Sequence, residues 1–129
     1  MRTHIVPALI VGAALCPTPT GAAAAEVFVG DVTLVATGFR FTEGPVWLPA
    51  KHGLLFSDIP ANRIHAVTPE GEVSVWREDS GNANGLTLDG MDRVIACEHG
   101  NRRVSRTLAD GTVEAIAEPW EGARFNSPN

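Results

Sequence analysis

The chain has 129 residues, 44% of them hydrophobic and 19% charged, with a formal net charge of −5, which is the balance of one globular domain. It carries no basic stripe of the kind phosphate binding requires, and this excludes a nucleic-acid partner.

Residues 1–25 read as an export signal. Arg2 and His4 open it, IVPALIVGAAL follows, and a small-residue stretch ends in an A-x-A pattern at Ala23 to Ala25, so cleavage is expected after Ala25 and the mature protein is expected outside the cytoplasm, periplasmic or secreted. Pro7 and the PTPTG segment interrupt the apolar run before it reaches the ~20 residues of a spanning helix, and no membrane association is expected after cleavage. Leu15 precedes Cys16, where lipid attachment calls for a small residue. Cleavage removes Arg2 and no acid, which makes the mature chain one unit more negative, and leaves Cys97 as its one thiol. In RVIACE that cysteine reads as a small core residue of a strand.

From residue 26 onward no helical period of useful length appears. Short β-branched or alternating runs follow one another: VFVGDVTLVA, GPVWL, GLLFSD, RIHAV, EVSVW, NGLTL, RVIACE, RVSRT and TVEAIA. Turn sequences PEG, LDG and ADG punctuate them, and the reading is all-β.

Shifted by forty positions the chain matches itself: residues 53–78 fall on 93–118, with Ile64 on Val104, Gly71 on Gly111 and Val73 on Val113. Four short strands in a period of ~40 to 45 residues is the signature of propeller blades. A Greek-key sandwich predicts no such internal copy. With one residue inserted upstream, EGPVW at 43–47 lies over NGLTL at 84–88, and the terminal NSPN begins a third unit. Glu43, Asn84 and Asn129 thereby become equivalent positions at the starts of three innermost strands. One carboxylate and two amides converging on a channel axis suit a hard cation; the same residue types also serve to satisfy turn backbone groups.

FTEGPVW, FSDIPANRIHAV, NANGLTLDG, ACEHGNRRVSR and RFNSPN, in this order and spacing, resemble the SMP-30/gluconolactonase-like family of six-bladed propellers. The resemblance covers roughly residues 36–129. It implies metal-dependent hydrolysis of a sugar lactone such as gluconolactone, with a divalent metal in the channel, Ca²⁺ as first choice and Zn²⁺, Mg²⁺ or Mn²⁺ as alternatives. It implies Glu43 as a metal ligand, Asn129 as the next ligand or an asparagine beside it, and Asn84 and Asn126 as substrate contacts. His99 in CEHGN resembles a catalytic position over the channel. In the related serum paraoxonases a histidine there belongs to a His-His dyad, but Asn84 stands where the second histidine would be. The competing readings are a non-catalytic propeller that binds sugar or protein, and a paraoxonase-like arylesterase or phosphotriesterase.

His52 reads as a solvated turn residue and His65 as a strand residue without a metal-binding partner. Asp58 and Glu98 are copies of one another that either support the channel or meet solvent. Trp47, Trp76 and Trp120 are expected between blades. Six blades need about 270 residues, so the sequence is expected to be the N-terminal part of a propeller: residues 26–129 holding two blades and the start of a third, inactive alone.

Overall fold

Every strand after residue 41 falls where the alternation of apolar and polar residues places it. The computed structural model describes residues 30–49 and 53–129; the expected signal sequence and His52 lie outside the described residues. Residues 33–129 form one unit. Its strands are β1 (Thr42–Leu48), β2 (Gly53–Asp58), β3 (Arg63–Val67), β4 (Val73–Arg77), β5 (Ala83–Leu88), β6 (Val94–Glu98), β7 (Arg103–Thr107) and β8 (Val113–Ala117), with a 3-10 turn at Ile59–Ala61. Residues 31–39, which include most of the VFVGDVTLVA run, form no strand.

The strands make two four-stranded antiparallel sheets, ordered β1-β2-β3-β4 and β5-β6-β7-β8. β2, β3 and β4 recur as β6, β7 and β8 forty residues later, and the irregularities recur with them. The β3–β4 ladder slips between Ile64 and His65, and the β7–β8 ladder between Val104 and Ser105. β1 slips after Glu43 against β2, and β5 slips after Ala83 against β6. Bulges at matching places are built features of a repeated unit. The outer hairpins match too: Gly71 donates to Thr68 O and Gly111 to Leu108 O, each glycine at positive φ. These are two successive propeller blades.

The core lies between the sheets. Leu48, Leu55 and Ile64 of the first sheet meet Ala83, Val94 and Ala96 of the second, with Val46, Trp76, Leu86 and Leu88 packed around them. Alternation assigns the faces. Leu55 and Ser57 of β2 are buried toward the second sheet, whereas Leu54 and Phe56 point to the opposite face and line a groove there with Val67 and residues 33–36. Of the three tryptophans, Trp76 packs against the core between the sheets, while Trp47 is 50% and Trp120 75% exposed. Strand parity puts Trp47, between the core-facing Val46 and the buried Leu48, on the opposite face of the first sheet beside its cross-strand partner Leu54.

The innermost strands approach so closely that one contact has no room for a side chain. Gly44 has φ +56°, and a Cβ there would stand 2.3 Å from Asn84 O and 2.8 Å from the Leu86 nitrogen. Gly44→Ala is therefore expected to cost at least about 2 kcal/mol in urea denaturation. Gly111→Ala, at φ +86° with nothing within 4 Å, is expected to cost about 1 kcal/mol, so the difference between them measures the sheet-to-sheet contact.

Candidate functional site

The site is built where β1 and β5 begin. Ser57, fully buried on β2, places its hydroxyl 2.9 Å from Glu43 O and 2.7 Å from Asn84 O. The one hydroxyl hydrogen serves both carbonyls, which ties the two strand starts together. Gly44 lies against Asn84 and Leu86 of β5; Gly85 lies against Asn129 in the same way, where a Cβ would stand 3.0 Å from the Asn129 carbonyl carbon and 3.6 Å from its Oδ1. The residues before these glycines, Glu43 and Asn84, and the terminal Asn129 thus lie where successive units meet.

Their side chains differ in setting. The Asn84 Oδ1 is buried and has no hydrogen-bond partner among the described residues, an arrangement that costs roughly 1–3 kcal/mol unless a donor or cation meets it. Glu43 and Asn129 are exposed. Among the described residues no group of three His, Cys, Asp or Glu side chains converges, so Glu43 brings the charge and the asparagines bring neutral oxygens. This donor set fits part of an oxygen-lined site for a hard cation.

The other predicted residues lie around this stack without joining it. His99 is exposed in the β6–β7 turn, one residue past Glu98, which pairs with Ala83 at the start of β5. That register puts His99 at the same end of the second sheet as Asn84. Asn126 is exposed at a bend, next to Ser127, whose hydroxyl accepts from Arg102. Cys97 occupies the place in β6 that Ser57 occupies in β2; burial pushes its thiol pKa up, and it is half-buried.

Several residues that hold the site carried little signal in the sequence. Asp58 is buried and takes the Arg40 and Phe41 amides at 3.1 Å each, which fixes the chain leading into Glu43. Its copy Glu98 is fully buried and joins the sheets: Arg77 of β4 donates to Oε1 at 2.6 Å, while Asn101 and Arg103 donate to Oε2 at 2.6 and 2.7 Å. Neither carboxylate meets solvent. The Asn62 Oδ1 accepts from Asn82 N at 2.7 Å and from the Ser80 hydroxyl at 3.3 Å, holding the loop that delivers Asn84. The forty-residue shift pairs Asp58 with Glu98 but cannot reveal that one takes amides and the other arginines.

The SMP-30/Gluconolactonase/LRE-like region matches residues 41–129. The chain belongs to this family. It is 29% identical over 112 residues to a gluconolactonase of Zymomonas mobilis, covering 76% of this chain and 32% of that protein. A crystal structure of a gluconolactonase from Xanthomonas campestris superposes with a TM-score of 0.70 at 33% identity, over 74% of this chain and 32% of the other. The X-ray structure of a protein proposed to be a gluconolactonase gives 0.69 at 42% identity, over 74% and 33%. The chain therefore spans about a third of the length of these relatives. A streptogramin B lyase, 14% identical with a TM-score of 0.53 over 62% of this chain and 27% of that one, shares the propeller fold.

Burial by itself raises the Glu98 pKa, but hydrogen bonds from Arg103, Ser105, Asn101 and Arg77 outweigh it and bring the carboxyl from 4.5 down to about 2. A depressed carboxylate contributes stability that is present above its unfolded pKa and lost as pH falls through its folded one. Urea midpoints are thus expected to fall between pH 4.5 and about 2, with a shallower fall in Glu98→Gln. Arg77→Met, which strips one donor from a buried charge, is expected to cost about 3 kcal/mol at pH 7.

Proposed function

We propose that the ring-length protein to which these blades belong hydrolyses a sugar lactone, gluconolactone being the nearest candidate, with a divalent cation in the channel. The observation that carries this reading is the close approach of the strand starts that hold Glu43, Asn84 and Asn129, with a buried Asn84 oxygen that has no partner among the described residues. Kinship supports the substrate class, because the curated relative and the Xanthomonas structure are both gluconolactonases.

Glu43 and Asn129 are the residues of this chain that would hold the cation, Ca²⁺ before Zn²⁺, Mg²⁺ or Mn²⁺, and its chemistry there is to polarise the lactone carbonyl and stabilise the developing oxyanion. The remaining steps belong to side chains. Asn84 and Asn126 orient the sugar hydroxyls through their amides, which both donate and accept. His99, at the same end of the second sheet as Asn84, takes a proton from the attacking water at an imidazole nitrogen and returns it to the leaving alkoxide. Opening the ring adds one water across the acyl C–O bond, so the product is the hydroxy acid and no co-reactant besides water is consumed.

Two consequences concern the chain as it stands. With one carboxylate and one or two amides it lacks the ligand count of a tight hard-cation site, and by itself it is inactive. Its location is outside the cytoplasm, with the mature chain starting at Glu26.

In ring-length protein, Glu43→Gln is expected to lower kcat/KM for gluconolactone by about 10²- to 10³-fold, the usual loss when one group stabilising a developing oxyanion is removed, with thermal stability unchanged and excess metal restoring part of the rate. Full metal-dependent activity in that variant would sink the proposal, as would lactone hydrolysis by the 129-residue chain alone. N-terminal sequencing of the exported protein is expected to begin at Glu26; an uncleaved Met1 would refute the export reading.

A further inference from the structure

The two sheets differ at one place where the repeat demands sameness. In the second sheet, Glu98, Arg103 and Ser105 surround the Arg77 guanidinium, which donates to the Glu98 carboxylate at 2.6 Å and to the Ser105 hydroxyl at 3.3 Å. Asn101 donates to Glu98 Oε2, and Gly81 leaves no room on that side, since a Cβ there would stand 2.7 Å from the same oxygen. Arg77 comes from the neighbouring sheet, and its side chain is only 9% exposed. Forty residues earlier, Glu98, Arg103 and Ser105 become Asp58, Arg63 and His65, and Asn101 becomes Ala61. These residues line an open cavity of about 370 Å³, with Gly38 and Arg40 as its far wall.

Three features of the cavity point to its occupant. The Asp58 carboxylate is only 2% exposed. Among the described residues it accepts two backbone amides and no side-chain donor, while Arg63 turns outward to Glu78 at 2.8 Å. His65 is nine-tenths buried, stacked on Phe56 at 5.4 Å and edge-on to Phe39, and its Nδ1 has no partner among the described residues. A buried anion and an unpaired imidazole nitrogen lining one cavity call for a cation with two separate donors, one for each. A guanidinium has that fork; an ammonium is a point charge.

We propose that the Asp58–His65 cavity is a guanidinium socket, filled by an arginine from the sheet that packs against the free face of the first blade, as Arg77 fills the equivalent place in the second. A second copy of this chain does not supply the arginine. The residue forty after Arg77 is Ala117 on β8, so a copy stacked with its second sheet on the socket presents a methyl group there. The socket joins blades around the ring by a buried, charge-assisted contact, and it is independent of lactone chemistry.

The test uses methylguanidinium as probe and NMR as readout. In the 129-residue chain at constant ionic strength, the His65 ring signals and the Arg40 and Phe41 amides are expected to move saturably, and methylammonium is expected to bind at least threefold more weakly. Asp58→Asn is expected to weaken the probe at least tenfold, and Ala61→Trp, which blocks the cavity without touching the charge or the amide bonds, to do the same. Absence of saturation overturns the proposal, and so does equal binding in Ala61→Trp or equal affinity for methylammonium. In ring-length protein the probe is expected to leave His65 unmoved, and binding there as tight as in the shorter chain would overturn the claim that a neighbouring sheet supplies the arginine.

Discussion

The fold depends on backbone touching backbone at the centre. Gly44 in β1 sits against the Asn84 carbonyl and the Leu86 amide, and Gly85 sits against Asn129. Any side chain at Gly44 would hold the innermost strands apart, and with them the residues that precede the glycines. The E-G and N-G pairs therefore couple two requirements in adjacent positions. Glycine sets how near the sheets come, and the residue before it provides the oxygen that arrives at the channel as a result. Ser57 strengthens this coupling, because its hydroxyl bridges the carbonyls of Glu43 and Asn84 from a site with no access to water.

Away from the centre the sheets are joined by polar groups whose positions repeat and whose chemistry does not. Asn62 and Arg102 stand forty residues apart, both at φ +57°, and each reaches the loop that leads into the next innermost strand. Asn62 does so with a carbonyl oxygen that accepts from Asn82 and Ser80, Arg102 with a guanidinium that donates to Ser127. Asp58 and Glu98 show the same divergence. Asp58 reaches only the neighbouring backbone amides, whereas the one additional methylene of glutamate carries Glu98 to arginines from both sheets. Repetition fixes where the joints are, and side-chain length decides what each joint holds.

That distinction explains how much was legible in the sequence. Strand positions, the two-blade organisation and the equivalence of Glu43, Asn84 and Asn129 all follow from the forty-residue copy and from alternation, which are properties of the backbone repeat. The face that Trp47 occupies was legible in principle, since it lies between Val46 and Leu48, and parity puts it with Leu54 on the side of the first sheet that the second does not cover. The unpartnered His65 nitrogen and the outward turn of Arg63 were not legible. They depend on which of several charged neighbours each group selects, and that choice is made in three dimensions.

The same repeat sets the limit of what two blades can do. At the proposed cation site each blade would bring one strand-start residue, and hard-cation affinity rises with ligand number and ligand charge. Between Thr33 and Asn129 these positions are Glu43, Asn84 and Asn129, one carboxylate and two amides. The first sheet also leaves Leu54, Phe56 and Val67 along a groove and a buried carboxylate and an unpaired imidazole in one cavity, on the face whose counterpart in the second sheet is covered by the first. Binding and closure are then one problem: the sheet that would cover the first blade would also bring its own strand start to the axis beside Glu43.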